Sequence, residues 1–225
     1  MAPILTLGDS FTFGAELSDL PVQHVGIFGN DYTDPVTGQH LTIEPSGLAW
    51  PALVAERLGT GVDNHAIIGG SNGRIFRRAI SDSSRKSYSL VVCAWTQLSR
   101  MDIAYQGREF PASAGNPVWP WIKNYFADHY DEAIEQQRLL TQILALQSYF
   151  KQRNQPYVFI KSMLINFDAG FAYLHDQIDQ THCIAWDSSM RALAQHCPQG
   201  PLGHFLEAGH QAVADAVLEH LGTRL

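Results

Sequence analysis

The chain has 225 residues, 45% of them hydrophobic, which is enough for one sizeable core. Its formal charge of -7 argues against a general nucleic-acid or acidic-membrane surface, since both favour a basic face. Cys93, Cys183 and Cys197 are widely spaced and form no Cys-x-x-Cys pair, so neither a zinc ribbon nor a disulfide framework is supported. No basic region precedes a long apolar stretch near Met1, and no apolar run is long enough to span a membrane, so a cytoplasmic protein is expected.

The first apolar run, Ile4 to Leu7, predicts a buried strand, and Gly8-Asp9-Ser10 follows it directly. A strand ending in such a turn lifts a serine hydroxyl to the sheet edge, where it serves as a nucleophile if a base reaches it. Residues 15 to 45 hold Pro, Gly, Asp and Asn with little periodicity and predict a long loop. A helix is expected from about Leu48 to Leu58, with Ser46 as its cap and Gly59 as its stop. A second strand is expected at His65 to Ile68, then Gly69-Gly70, then a helix from Ser71 or Asn72. Leu90 to Trp95 is the third strand, with Cys93 as a small core residue. Residues 101 to 129, rich in Pro, Gly and Asn with Trp119, Trp121, Tyr125 and Phe126, predict a second long loop, a candidate lid. The longest helix runs from about Asp131 to Arg153, and Tyr157 to Lys161 is the fourth strand. A short helix follows Asp187, and the last covers about Glu207 to Leu221. Strands alternating with helices predict one α/β domain over residues 1 to 225, a three-layer α/β/α sandwich around a mostly parallel sheet.

Histidine is the usual base for a serine, and 10 histidines are present, so placement must select. Gly203-His204-Phe205-Leu206-Glu207-Ala208-Gly209-His210 puts one histidine in a loop before the final helix and another on its first turns. Two glycines at 69 and 70, between a strand and a helix, let backbone approach a ligand closely. The histidines at 24, 40, 129, 175 and 182 show no ligand spacing, so no metal is expected. Gly69-Gly70-Ser71-Asn72-Gly73 lacks the spacing and lysine of a phosphate-binding P-loop. Arg74, Arg77, Arg78, Arg85 and Lys86 read as a solvated helix face.

These blocks resemble the SGNH hydrolases, the GDSL family of serine esterases and lipases, whose fold is flavodoxin-like. Gly8-Asp9-Ser10 matches the family's nucleophile block, Asn64 to Asn72 its second block, and Pro201 to His210 its last. The resemblance implies Ser10 as nucleophile, His204 as base and His210 as a packing histidine. It implies an oxyanion hole from the N–H groups of Ser10 and Gly69 with Asn72 or Thr96, and an Asp9 that shapes the turn. The chain departs from the family twice. The third strand ends in Thr96-Gln97 rather than Gly-x-Asn, so Thr96, Gln97 or Asn72 is left as the further donor. The family's acid, three positions before the histidine, is Pro201 here, which leaves Asp187, Glu207 or a backbone carbonyl as substitutes, or a Ser-His dyad. Arg100 after Trp95-Thr96, and Ser71-Asn72-Gly73-Arg74-Ile75, are similar to a branch associated with phage genomes. The implied activity is hydrolysis of a small-molecule or carbohydrate ester without cofactor, an O-acetylated carbohydrate first among substrates. The alternative is a weak or inactive carbohydrate- or acyl-binding protein on the same scaffold.

Overall fold

The computed structural model describes residues 1–20, 30–33, 40–105, 108–113 and 120–222. In chain order come β1 (Ile4–Leu7), α1 (Ser10–Phe13), β2 (Asp31–Thr33), β3 (His40–Thr42), α2 (Trp50–Arg57), β4 (Val62–Asn64) and α3 (Asn72–Arg85). There follow β5 (Leu90–Trp95), β6 (Met101–Tyr105), β7 (Arg108–Ala112), α4 (Pro120–Asp128) and α5 (Glu132–Gln152). The chain continues through β8 (Tyr157–Lys161), α6 (Ala172–His175), β9 (Cys183–Ile184), α7 (Met190–Leu193) and α8 (Glu207–Gly222).

Five strands form one sheet in the order β4-β1-β5-β8-β9, and every pairing in it is parallel. Parallel strands need helical crossovers, and the helices cover both faces, which explains why β1, β5 and β8 are buried along their whole length. On one face, Ile75 and Ala79 of α3 and Leu139, Ile143, Leu146 and Phe150 of α5 pack on Leu5, Leu7, Val91, Cys93 and Phe159. On the other, Trp50 and Val54 of α2 and Val213 and Val217 of α8 pack on Ile4, Val92, Ala94, Val158 and Ile160. The result is the expected α/β/α sandwich. In sequence order the sheet reads 2-1-3-4-5, so the connections leave in opposite directions from β1 and β5, and ligands bind at such a switch point.

Three of the four expected strands fall where the apolar runs predict them. The second lies earlier, at Val62–Asn64, with His65 to Ile68 continuing beyond it. β4 is an edge strand of intermediate burial, so it tolerates Asp63 and Asn64, while Ala66 and Ile68 pack into a small cluster with Phe13 and Ile43. Ser46 does not cap α2; that helix starts after Ala49, which makes no side-chain cap bond. The cap of α3 is Ser71, whose hydroxyl accepts from Arg74 N at 3.1 Å. The predicted loop over 101 to 129 contains the antiparallel hairpin β6-β7 and the helix α4. The hairpin is a two-stranded ribbon and so tolerates Pro111, which masks the strand pattern. Trp119 and parts of the stretches 15 to 45 and 101 to 129 lie outside the described residues. Cys93 is fully buried, and burial pushes its thiol far up. The basic face of α3 carries ion pairs, with Arg77 reaching Asp102 and Glu109, and Arg78 reaching Asp82. Among the described residues no helix is long and apolar enough to cross a membrane.

Candidate active site

The turn after β1 is tight because Gly8 has no side chain: a Cβ there would lie 2.3 Å from the Thr12 hydroxyl oxygen. Asp9 then caps α1, its Oδ1 accepting from Phe11 N at 3.0 Å. The other carboxylate oxygen accepts from the Thr96 hydroxyl at 2.7 Å and from Arg100 Nη1 at 2.9 Å. Asp9 is fully buried, and Arg100 supplies the opposite charge that such burial requires. Ser10 therefore opens α1 from a braced turn.

His204 Nε2 lies 2.8 Å from Ser10 Oγ. On the far side of the ring, Nδ1 lies 2.7 Å from Oε2 of Glu16, a residue 188 positions away in sequence. Glu16 is only 7% exposed, and its carboxylate also accepts from Leu202 N at 2.9 Å and His204 N at 3.2 Å. One carboxylate thus holds both the imidazole and the loop that carries it. Gly14 ends α1 in the left-handed region at φ 84°, and Glu16 itself adopts φ 69°, which doubles the chain back toward the histidine loop. Gly200 faces the carboxyl group so closely that a Cβ would sit 2.6 Å from it. Phe11 packs against the His204 ring at 4.9 Å and against Phe205 at 5.1 Å, limiting the imidazole's freedom.

The glycine turn of the second block packs directly on the turn that carries Ser10. Ile67 N donates to Gly8 O at 3.3 Å, and a Cβ on Gly70 would lie 2.9 Å from that same oxygen. Gly69 takes φ 78°, which favours glycine. The N–H groups of Ser10 and Gly69 donate to no acceptor among the described residues.

Asn72 and Thr96, expected as oxyanion donors, are committed elsewhere. Asn72 Oδ1 accepts from Thr96 N at 2.8 Å and its Nδ2 donates to Thr96 O at 3.0 Å, while the Thr96 hydroxyl is spent on Asp9. The pair ties the start of α3 to the end of β5 behind Ser10. Neither expected acid reaches the imidazole. Asp187 is exposed and lines a cavity with Lys161, and Glu207 accepts from the Ser18 hydroxyl at 2.7 Å, which holds its carboxyl below the usual range. The carboxylate that reaches the imidazole is that of Glu16. Its sequence signal was one unexplained acid inside the apolar run Phe11 to Leu17.

His210 packs edge-on against Phe205 at 4.6 Å. Its Nδ1 accepts from Trp50 N at 3.1 Å, filling the cap that Ala49 leaves empty, so the ring proton sits on Nε2. Burial, and after it the charge of His204, push its pKa down to about 3. Gly209 is required beside it, since a Cβ there would lie 2.4 Å from the Phe205 Cβ. Among the described residues, no three His, Cys, Asp or Glu side chains gather as metal ligands.

Fold and sheet order together define a three-layer α/β/α sandwich around a parallel sheet of order 2-1-3-4-5. It is shared by the psychrotrophic esterase EstA from Pseudoalteromonas sp., at 13% identity, 99% of this chain and 98% of that one, and a TM-score of 0.52. A catalytic mutant of Axe2, an acetylxylan esterase from Geobacillus stearothermophilus, is similar at 14% identity, 98% and 94% coverage, and a TM-score of 0.52. LAE5, an α/β hydrolase enzyme from the metagenome of Lake Arreo, Spain, is similar at 16% identity, 98% and 95% coverage, and a TM-score of 0.54. The chain belongs to DUF6071, a family of unknown function, whose match covers residues 33–192. Ser10, Glu16 and His204 lie outside that match. No curated protein matches the chain.

Proposed function

We propose that this protein is a serine ester hydrolase whose catalytic triad is Ser10, His204 and Glu16. The observation that carries the reading is the unbroken chain of hydrogen bonds from Ser10 Oγ through the imidazole to the Glu16 carboxylate, at 2.8 and 2.7 Å. In this reading Ser10 Oγ attacks the acyl carbonyl while His204 Nε2 takes its proton. The oxyanion that forms is held by the N–H groups of Ser10 and Gly69. His204 returns the proton to the leaving alcohol, and the acyl-Ser10 ester remains. Water then enters, gives a proton to His204 and attacks the acyl carbon; the bond to Ser10 Oγ breaks, His204 returns the proton to Oγ, and the acid leaves. Glu16 keeps the Nδ1 proton on its own side of the ring and stabilises the imidazolium. The scheme needs neither a metal nor an organic cofactor.

The substrate we infer is an ester of a hydroxylated alcohol, an O-acetylated carbohydrate in the first instance. Its support is the polar character of the cavity that begins beside the end of β5. Gln97 and Ser99 line that space of about 340 Å³ together with Tyr130 and Asn166. Gln97 follows Thr96, which is bonded to the nucleophile turn. The acetylxylan esterase of the same fold agrees with this choice.

The test is hydrolysis of p-nitrophenyl acetate and butyrate, with fluorophosphonate labelling. Turnover should drop by about 10³-fold or more in Ser10→Ala and in His204→Ala, and the label should sit on Ser10. A protein that neither turns over activated esters nor accepts the label would be a binding protein on this scaffold.

A further inference from the structure

The carboxyl end of β8 holds a charge that ester hydrolysis leaves unused. Lys161 is the last residue of that strand, is 4% exposed, and projects to the face of Tyr157, Phe159 and Trp186. Phe11 and Phe205, which pack around His204, belong to the opposite face. The Lys161 ammonium donates to Ile165 O at 3.2 Å and stands 5.2 Å from the centre of the Trp186 ring. Its other N–H donors meet no acceptor among the described residues. Burial holds its pKa below the ordinary lysine value, against the pull of Asp187. A buried cation with donors to spare is costly unless something supplies the acceptors.

Lys161 lines a cavity of about 360 Å³, within the range of small-ligand sites. Phe167 and Trp186 supply apolar lining, and Asn166, Asp168 and Asp187 are its exposed polar members. The two carboxylates oppose a multiply charged anion such as phosphate, yet they accept hydrogen bonds from hydroxyl groups. One cation in the buried part and several acceptors at the rim match a small molecule with one negative charge and several hydroxyls. We propose that this cavity binds a hydroxylated monocarboxylate of the uronic-acid class. Its carboxylate pairs with Lys161, and its hydroxyls donate to Asp168 and Asp187. The cavity shares Leu164, Ile165 and Asn166 with the space that begins at Gln97, so such a sugar would lie along the same edge of the sheet as the ester. Binding there needs neither Ser10 nor His204, and the site stands or falls apart from hydrolysis.

Tryptophan fluorescence tests it, with the Ser10→Ala protein titrated with glucuronate, glucose and inorganic phosphate. Glucuronate should give a saturable change at millimolar concentration, and the change should vanish in Trp186→Phe. Affinity should fall at least about tenfold in Lys161→Met, whose folding is checked by its melting temperature. Asn166 is exposed, so Asn166→Ala keeps the fold and should weaken binding several-fold. Glucose and phosphate should bind at least about tenfold more weakly than glucuronate. The proposal is overturned by equal binding in Lys161→Met, by a signal that survives Trp186→Phe, or by phosphate binding as tightly. No saturation with glucuronate at about 20 mM would overturn it equally.

Discussion

Two turns meet at the His204 ring, and they divide the work unequally. The turn that follows β1 supplies Ser10 and, six residues later, Glu16. The loop before α8 supplies His204 alone, with Pro201 three positions before it and no acid between Asp187 and His204. Two carboxylates flank Ser10 and differ in what they face. Asp9 is closed off by Arg100, Thr96 and Phe11 N, so its charge holds the turn together. Glu16 is turned toward the histidine loop and bonds both its ring and its backbone. In the proposed triad the acid is specified by where it reaches, and a left-handed turn delivers it from the Ser10 side.

The comparison can be broken most severely at Asp9. Asp9→Ala leaves Arg100 without its partner in a nearly closed site, and we expect a loss of about 3–5 kcal/mol in urea denaturation. Equal stability of that variant would mean the buried pair does not hold the turn. Glu16 can be displaced without being changed. Gly200→Ala puts a methyl group 2.6 Å from its carboxyl, which should cost up to about a hundredfold in kcat through misalignment while the melting temperature changes little. Unchanged kcat would show that the carboxylate's position is not critical.

A smaller effect sharpens the role of the histidine loop's other ring. His210 has a folded pKa of about 3 against an ordinary 6.5, so below 6.5 the unfolded chain takes up the proton first. The stabilisation is fully present above pH 6.5 and is lost as the pH falls toward 3, at roughly 1.4 kcal/mol per unit at most. Denaturation at several pH values should show this slope, and His210→Asn, whose Oδ1 can accept from Trp50 N, should flatten it. The smallest effect is expected at Ser18, whose hydroxyl donates to Glu207 across an exposed contact. Ser18→Ala should cost about 1 kcal/mol in the same assay.

Local patterns carried much of this in the sequence. The buried runs of β1, β5 and β8, the start of α5 near Asp131 and the Gly-Asp-Ser turn are all readable over a few residues. Long-range pairings were not. Glu16 bonds a residue 188 positions away, and its approach depends on the backbone of Gly14 and Glu16 rather than on any spacing of residue types. Asn72 and Thr96 were recognisable as neighbours of the site, but each is saturated by the other or by Asp9, a fact invisible until partners are known. Asp187 is the last Asp before His204 in sequence, yet in the fold it belongs to the Lys161 cavity. The β6-β7 hairpin is hidden in the sequence by Pro111, which argues against a strand in any longer sheet.

The most direct measurement is aryl-ester turnover of Glu16→Gln beside Asp187→Asn. The amide keeps the size of Glu16 but removes the charge that orients Nδ1–H and stabilises the imidazolium. The account predicts that kcat falls by about 10²–10⁴-fold in Glu16→Gln, with fluorophosphonate labelling of Ser10 slowed, and that Asp187→Asn matches the wild type. Wild-type turnover in Glu16→Gln, or its loss in Asp187→Asn, would contradict the triad.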